Sequence, residues 1–519
     1  MQKYNILWAD DEIDLLKPHI LFLNQRGYDI TPVTSGPDAI EECEQNYYDV
    51  IFLDENMPGM TGLETLGKIK EIQPNVPVVM ITKSEEEHIM EEAIASKIAD
   101  YLIKPINPHQ ILLSVKKLLD NKRLISERTN LNYQQDFRNI SMAFNEHLSH
   151  EEWVDIYKKL VYWEIEINST SNNEMAEVLD MQKTEANLNF ARFIKNNYQT
   201  WLNDPNHDRP LLSHEILRKK VIPQLKDNDP LFFIVIDNLR FDQWRTIQHR
   251  ILDYYNLERE ETYYSILPTT TAYSRNAIFS GLLPSQMDHQ HPDIWIGENE
   301  EGGKNNHENE FLQRQLKKLR LNIKTSYNKI KNLSQGKTLA DNINNLMNND
   351  LNVIVYNFVD MLSHARTEME VIRELAPNEK AYRSLTKSWF AHSPLLDILI
   401  RIAEKNGRVI ITTDHGTIRV KRPFKIVGDR NTNTNLRFKI GKNLGFNGDK
   451  AFVVRQPEKI FLPKLNVTST YVFAVEDFFF AYPNNYNYYV RYYNDTFQHG
   501  GVSMEEMIIP IISLNSKMR

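Results

Sequence analysis

Two sets of residues in this 519-residue chain have the types and spacing for phosphoryl chemistry. In the first, Asp10-Asp11, Asp54, Thr82 and Lys104-Pro105 each follow a short apolar run. Three carboxylates held close together repel and need a hard cation; Mg2+ takes oxygen ligands and keeps several waters. Asp11 and Asp54 would bind it, with Asp10 in support. Asp54 would then attack a phosphoryl donor as a nucleophilic carboxylate, while Mg2+ and Lys104 neutralise the transferred oxygens. Thr82 would hydrogen-bond the new acyl phosphate, and the Tyr101 ring would follow that movement.

The second set lies in the C-terminal half. Asp237 follows the apolar run Leu231–Ile236, and Thr271 lies in Pro268-Thr-Thr-Thr-Ala-Tyr-Ser-Arg275. Asp360 follows Val353–Phe358, with His364 one helical turn later. Asp414-His415-Gly416 follow another apolar run, and His499-Gly500-Gly501 come near the end. Asp and His are ligands for borderline divalent ions, above all Zn2+. One metal would take Asp237, Thr271, Asp414 and His415; the other would take Asp360, His364 and His499. Two metals about 3.5–4 Å apart clamp the attacking and leaving oxygens of a phosphoryl displacement. Thr269 and Thr270 are rivals of Thr271 as nucleophile. Arg275 either faces the substrate phosphate or only forms a surface ion pair. Lys421 and Arg422 read as solvated edge charges, and His88, His109, His289, His291, His307 and His392 as surface histidines.

These residues need scaffolds. Strands are expected at Tyr4–Ala9, Ile30–Val33, Val50–Leu53, Val78–Ile81 and Ala99–Ile103, with helical patterns between them. Such alternation gives a parallel sheet covered on both faces, whose sites collect at the carboxyl ends of the strands. From Pro108 the pattern turns helical. Ser149 and Glu152 have capping-box spacing ahead of a helix holding Trp153, Tyr157, Leu160 and Trp163. A further helix is expected over Asn173–Leu202. In the last part, Leu231–Ile236, Val353–Phe358, Val409–Thr413, Ala451–Val454 and Ile508–Ile512 read as strands of a second α/β domain. The polar stretches Asp288–Glu310 and Gly428–Gly448 read as insertions of the kind that often form lids. The expected division is residues 1–122, a helical bundle over 123–204, and 205–519.

Composition narrows the classes. A net charge of −8 argues against a nucleic-acid binder, and direct DNA binding is not expected. The single cysteine, Cys43, excludes an internal disulfide and fits a reducing compartment. No apolar run is long enough to span a bilayer, so a cytoplasmic protein without membrane insertion is expected.

The first set resembles the receiver family of two-component signalling, on Trp-Ala-Asp10-Asp11-Glu12, Leu-Asp54-Glu-Asn-Met-Pro58-Gly59, Ile-Thr82-Lys and Lys104-Pro105. That resemblance implies a flavodoxin-like five-stranded sheet, one Mg2+, phosphorylation of Asp54 by a sensor histidine kinase, and a cis bond before Pro105. Lys83 departs from the family, where a small residue is common. The second set resembles the alkaline phosphatase superfamily and, within it, the PglZ-type domain. This implies two zinc ions and a covalent phospho-threonine step, and the spacing from Pro268 favours Thr271. The three-part architecture is similar to that of regulators of type IX secretion, which implies secretion components and a sigma factor as partners.

The reading is therefore a multidomain α/β response regulator with a phosphodiesterase output acting on linear or cyclic nucleotides, dimerising on phosphorylation. The tyrosines of Tyr486–Tyr493 would stack a base or simply pack. The alternative is a catalytically silent zinc-bound scaffold, against which the complete ligand set speaks.

Overall fold

The apolar runs of the first hundred residues form a five-stranded parallel sheet in the computed structural model: β1 Tyr4–Ala9, β2 Tyr28–Val33, β3 Val50–Asp54, β4 Val78–Thr82 and β5 Asp100–Ile103. Their order is β2-β1-β3-β4-β5. The structure describes residues 4–83, 98–170, 173–226, 229–297, 300, 302–428, 432–442, 444–446, 450–466 and 468–518, with backbone alone for 120–131, 170 and 173. His88 lies outside the described residues. Every residue of β3 and β4 is buried, as expected of strands covered on both faces. Successive side chains point to opposite faces, and two cores result. Ile6, Trp8 and Phe52 pack with Ile111, Val115 and Leu119 on one face. Leu7, Leu53 and Met80 pack with Ala39, Cys43, Leu66 and Ile69 on the other. Burial pushes the Cys43 thiol up to about 11, so it is an inert core residue.

The chain divides into two compact units, Met1–Gln134 and Gln135–Arg519. The boundary falls within one long helix, Pro108–Ala143. In the second unit, the linker helices His150–Thr170 and Asn173–Asn203 are packed as part of the C-terminal domain. The capping box forms: the Ser149 amide donates to the Glu152 carboxylate at 2.7 Å, and the Glu152 amide donates to Ser149 Oγ at 3.2 Å. The linker aromatics are core. Trp153 packs edge-on against Phe190 at 5.5 Å between centroids, and Phe190 and Trp201 pack on Tyr264 at 6.0 and 5.6 Å.

The C-terminal sheet has six strands: β6 Leu231–Ile236, β7 Tyr255–Tyr264, β8 Thr325–Ile330, β9 Leu351–Tyr356, β10 Arg408–Thr412 and β11 Ile508–Ser516. Their order is β7-β11-β10-β6-β9-β8. β10, β6, β9 and β8 run parallel; β11 is antiparallel to both β10 and β7. Two antiparallel steps restore direction, so the carboxyl end of β7 lies on the same edge as those of β6, β9 and β10. The residues after all four strands therefore converge, as does the segment leading into β11. Three expectations change in detail. The strand expected at Val353–Phe358 ends at Tyr356, and Phe358 opens a helix, Phe358–Glu368. β11 extends to Ser516, and the edge strands β7 and β8 are additional. Among the described residues, no helix is long and apolar enough to cross a membrane.

Candidate functional site

In the first unit, the ends of β1 and β3 bring together Asp10, Asp11 and Asp54, with ligand oxygens all within 4.8 Å of one another. Lys104 Nζ, beyond β5, is 3.0 Å from both Asp10 Oδ2 and Asp54 Oδ1. The Lys104–Pro105 bond is cis. Asp54 is buried, and desolvation holds its carboxyl above the usual range. Lys104 opposes that shift, while Asp10 and Asp11 add to it. A cation among these acids would relieve both the desolvation and the repulsion. Thr82, at the end of β4, donates to the Glu55 carboxylate. Tyr101 is 39% exposed on β5. Lys83 is exposed and points towards Glu12, 4.0 Å away.

In the second unit the other expected residues meet at the carboxyl edge of the six-stranded sheet. Asp237 follows β6, Asp414 and His415 follow β10, and their ligand atoms lie within 4.8 Å of one another. Asp360 and His364, from the helix after β9, form a second such group with His499. The groups adjoin: the His415 and His499 rings stack with centroids 4.2 Å apart. His499 Nε2 is 3.7 Å from Asp360, and His364 Nε2 is 3.4 Å from it. Thr271 Oγ1 lies 3.0 Å from His415 Nε2 and 3.4 Å from Asp237 Oδ1.

Electrostatics and unmet valences fit divalent ions. Burial pushes Asp237 up to about 8, helped by Asp414 and Asp360 and opposed by Arg275. Burial also raises Asp414 and drives His499 down to about 3. Burial lowers His415 as well, so His415 and His499 are held neutral, the form that ligates metal, whereas the bond to Asp360 raises His364. Asp414 Oδ2 is buried and accepts no hydrogen bond among the described residues. A bound cation stabilises the charged carboxylates that burial opposes.

Geometry separates the threonines. Thr269 Oγ1 accepts from the Gly500 amide at 3.0 Å and donates to the Gly501 carbonyl at 2.9 Å, so it fastens the turn after His499. Gly500 adopts φ +123°, a conformation open to glycine. Thr270 Oγ1 is buried with no partner among the described residues. Of the three hydroxyls, only that of Thr271 reaches the expected metal ligands, while the Thr269 carbonyl meets His499 Nδ1 at 3.3 Å.

Arg275 is a correction in its setting: its ion pair forms, but buried rather than at the surface, with the side chain 1% exposed, NH1 2.7 Å from Asp237 Oδ2 and Nε 2.5 Å from Glu308. Glu308 also meets Lys329 at 2.9 Å and the Tyr327 hydroxyl. Arg275 therefore orients Asp237 from behind. The stretch expected as a lid supplies this backing: Asn305 Nδ2 donates to the Thr271 carbonyl at 2.9 Å, and Trp295 is buried. Lys421 and Arg422 are edge charges paired with Asp180 and Glu476. His291 meets Arg314, His307 meets Glu310 and His392 meets the Ser388 carbonyl.

Sequence reasoning missed Asn238. It sits at φ +64° directly after Asp237, its amide donates to Asp414 Oδ1 at 3.3 Å, and its side chain donates to Asp360 Oδ1 at 3.2 Å. The signal was an Asn at a strand end, the residue type that best tolerates a left-handed backbone after Gly. It also missed Glu506, which binds Arg437 and the Gly501 amide and braces the His499 turn.

Residues 216–514 match the family model for the BREX system PglZ alkaline phosphatase-like domain. Residues 123–202 match the PorX response regulator linker domain, and residues 6–116 the response regulator receiver domain. The transcriptional regulatory protein ResD of Bacillus subtilis is 30% identical over 146 residues, 28% of this chain and 59% of ResD. The transcriptional regulatory protein SrrA of Staphylococcus aureus is 32% identical over 114 residues, 22% of this chain and 47% of SrrA. The chain thus spans about half the length of these curated relatives. Among solved structures, a CheY-like receiver domain protein from Methanospirillum hungatei aligns with 23% identity and a TM-score of 0.23, covering 23% of this chain and 96% of that one. The receiver domain of the Francisella response regulator 1452 aligns with 26% identity and a TM-score of 0.22, covering 23% and 98%.

Proposed function

The chain belongs to the PglZ alkaline phosphatase-like family, with a receiver domain and a PorX-type linker ahead of that domain, and on this premise we propose that it is a response regulator whose output is zinc-dependent phosphodiester hydrolysis. The observation that carries the reading is Thr271 Oγ1 beside Asp237 and His415, with Asp360, His364 and His499 adjoining. Asp237, Thr271, Asp414 and His415 would hold one zinc, and Asp360, His364 and His499 the other. Zinc there supplies positive charge that acidifies the Thr271 hydroxyl and neutralises the departing oxygen. Thr271 Oγ attacks phosphorus as the ester oxygen opposite leaves as an alcohol with the hydroxyl's proton, giving a threonyl phosphodiester that keeps the second ester group. Water then attacks phosphorus, phosphate monoester departs and the Thr271 hydroxyl is restored. Arg275 and Asn238 keep the ligand carboxylates aimed throughout.

Linear or cyclic nucleotides are the proposed substrates. The helix Tyr486–Tyr493 supports this, since Tyr488 and Tyr489, each stacked on the tyrosine four residues on, are still 62% and 40% exposed, leaving aromatic surface for a base. On the receiver side, the cluster of Asp10, Asp11 and Asp54 with Lys104, which would hold Mg2+, supports phosphorylation of Asp54 by a histidine kinase, with Thr82 and Tyr101 as the switch. Phosphorylation is proposed to favour a homodimer. The PorX-type linker supports a role in type IX secretion, in the cytoplasm, through a sigma factor or secretion components.

Metal removal is the test. Chelated full-length protein is expected to lose hydrolysis of bis(4-nitrophenyl) phosphate and cyclic dinucleotides, and to regain it with zinc at two ions per chain. A zinc-loaded protein that turns over neither substrate would overturn the reading.

A further inference from the structure

Behind the metal ligands, a buried network of charges ties them to the linker helices. Glu164, on the first linker helix, accepts from Arg383 at 2.7 Å and from Lys183, on the second, at 2.6 Å. Arg383 also meets Asp242 at 3.1 Å, and Asp242 takes Arg240 through two hydrogen bonds of 3.0 and 2.7 Å. Arg240 donates further to Glu379 at 2.6 Å. The carboxylates of Glu164, Asp242 and Glu379 are close enough together for a cation, and the guanidinium groups of Arg240 and Arg383 fill that role.

The network reaches the site by two routes. Arg240 lies three residues after Asp237, in a turn whose amides donate to Asp414 Oδ1 and Thr413 Oγ1 at 3.3 and 3.0 Å. On the second route, Lys183 and Asn187 reach Glu505 at 3.7 and 3.0 Å. The Glu505 carbonyl lies 2.0 Å from where a Cβ on Gly416 would stand, with Arg240 Cγ at 3.3 Å. The loop after His415 is thus gripped between a linker-anchored carboxylate residue and Arg240. Beside this grip runs a cleft of about 810 Å3 between the linker helices and the α/β domain, lined by Glu164, Lys183, Glu379 and Glu505 among others. At this place the linker is held by ions beside open space rather than by continuous apolar packing.

We propose that Glu164 and Lys183 are positioning residues for the metal ligands Asp237, Asp414 and His415, so that docking of the linker helices sets metal affinity and turnover. Removing one partner of a buried ion cluster leaves an uncompensated charge, and partners behind metal ligands tune affinity. The inference rests on the hydrolase reading for its kinetic readout; its metal readout is independent of substrate.

The test compares full-length wild type, Glu164→Gln, Glu164→Asp and Phe190→Leu. The last loosens linker packing away from the charges. Zinc dissociation constants are measured by competition with a chromophoric chelator, kcat and KM on bis(4-nitrophenyl) phosphate at saturating zinc, and melting on zinc-free protein. Glu164→Gln is expected to weaken zinc binding about 10-fold or more and to lower kcat with KM unchanged. Glu164→Asp recovers most of both, and Phe190→Leu melts lower yet binds zinc as wild type. Wild-type zinc affinity in Glu164→Gln, or zinc loss that tracks melting loss equally in Phe190→Leu, overturns the proposal. If wild type fails to hydrolyse the diester, the hydrolase reading falls while the zinc constants still decide this one.

Discussion

Asp54→Asn is expected to abolish acyl-phosphate formation when the full-length chain is incubated with Mg2+ and acetyl phosphate, as read by intact-protein mass. Asn is nearly isosteric and preserves the packing of β3, where every residue is buried. It removes the nucleophilic oxygen 3.0 Å from Lys104. Asp10 and Asp11 are poor substitutes. Asp10 Oδ1 already accepts from the Glu12 amide at 2.9 Å, and Asp11 is exposed at the rim. The loss should be complete, because Asp10, though equally buried, has one oxygen on the Glu12 amide and the other 3.0 Å from Lys104. The wild type is expected to shift from monomer towards dimer with beryllofluoride in sedimentation, and the same variant should not. Equal labelling of variant and wild type would assign the phosphoryl group elsewhere.

Thr271→Val is expected to lower kcat for bis(4-nitrophenyl) phosphate on the order of 10³-fold or more, since losing a covalent nucleophile removes the whole pathway it serves. Valine keeps the shape of threonine, and Asp237, Asp414, His415 and the second triad still offer their ligand atoms. Zinc content by elemental analysis should therefore stay near that of the wild type, separating loss of chemistry from loss of metal. Thr270→Val is the matched control. Its hydroxyl has no partner among the described residues, so turnover should fall less than about 10-fold. Thr271→Val with wild-type turnover would exclude the covalent step.

What was legible in the sequence followed burial. β6 and β9 are buried at every residue, so their apolar runs stood out, and the acids after them could be placed on one edge. β7 and β8 are the two edges of the same sheet. β7 carries Glu258, Arg259, Glu260 and Glu261, and β8 reads Thr-Ser-Tyr-Asn-Lys-Ile. Charged and polar edges guard a sheet against further pairing, and the same property erases the alternation that marks a strand. The acids and histidines that the fold gathers were legible because few residue types bind metal. Their support was not. Arg275 looks like an anion contact in sequence, and only the fold brings Glu308, 33 residues away, to its Nε. The Glu164–Arg383 pair spans 219 residues, a separation that carries no local pattern.

The most direct test of a receiver that governs a metal hydrolase is steady-state hydrolysis of bis(4-nitrophenyl) phosphate by the zinc-loaded full-length chain. It is measured with and without Mg2+ and beryllofluoride, alongside Asp54→Asn. The expected result is turnover that rises with beryllofluoride in the wild type and does not respond in Asp54→Asn. No turnover, or a rate that beryllofluoride changes equally in both proteins, would contradict it.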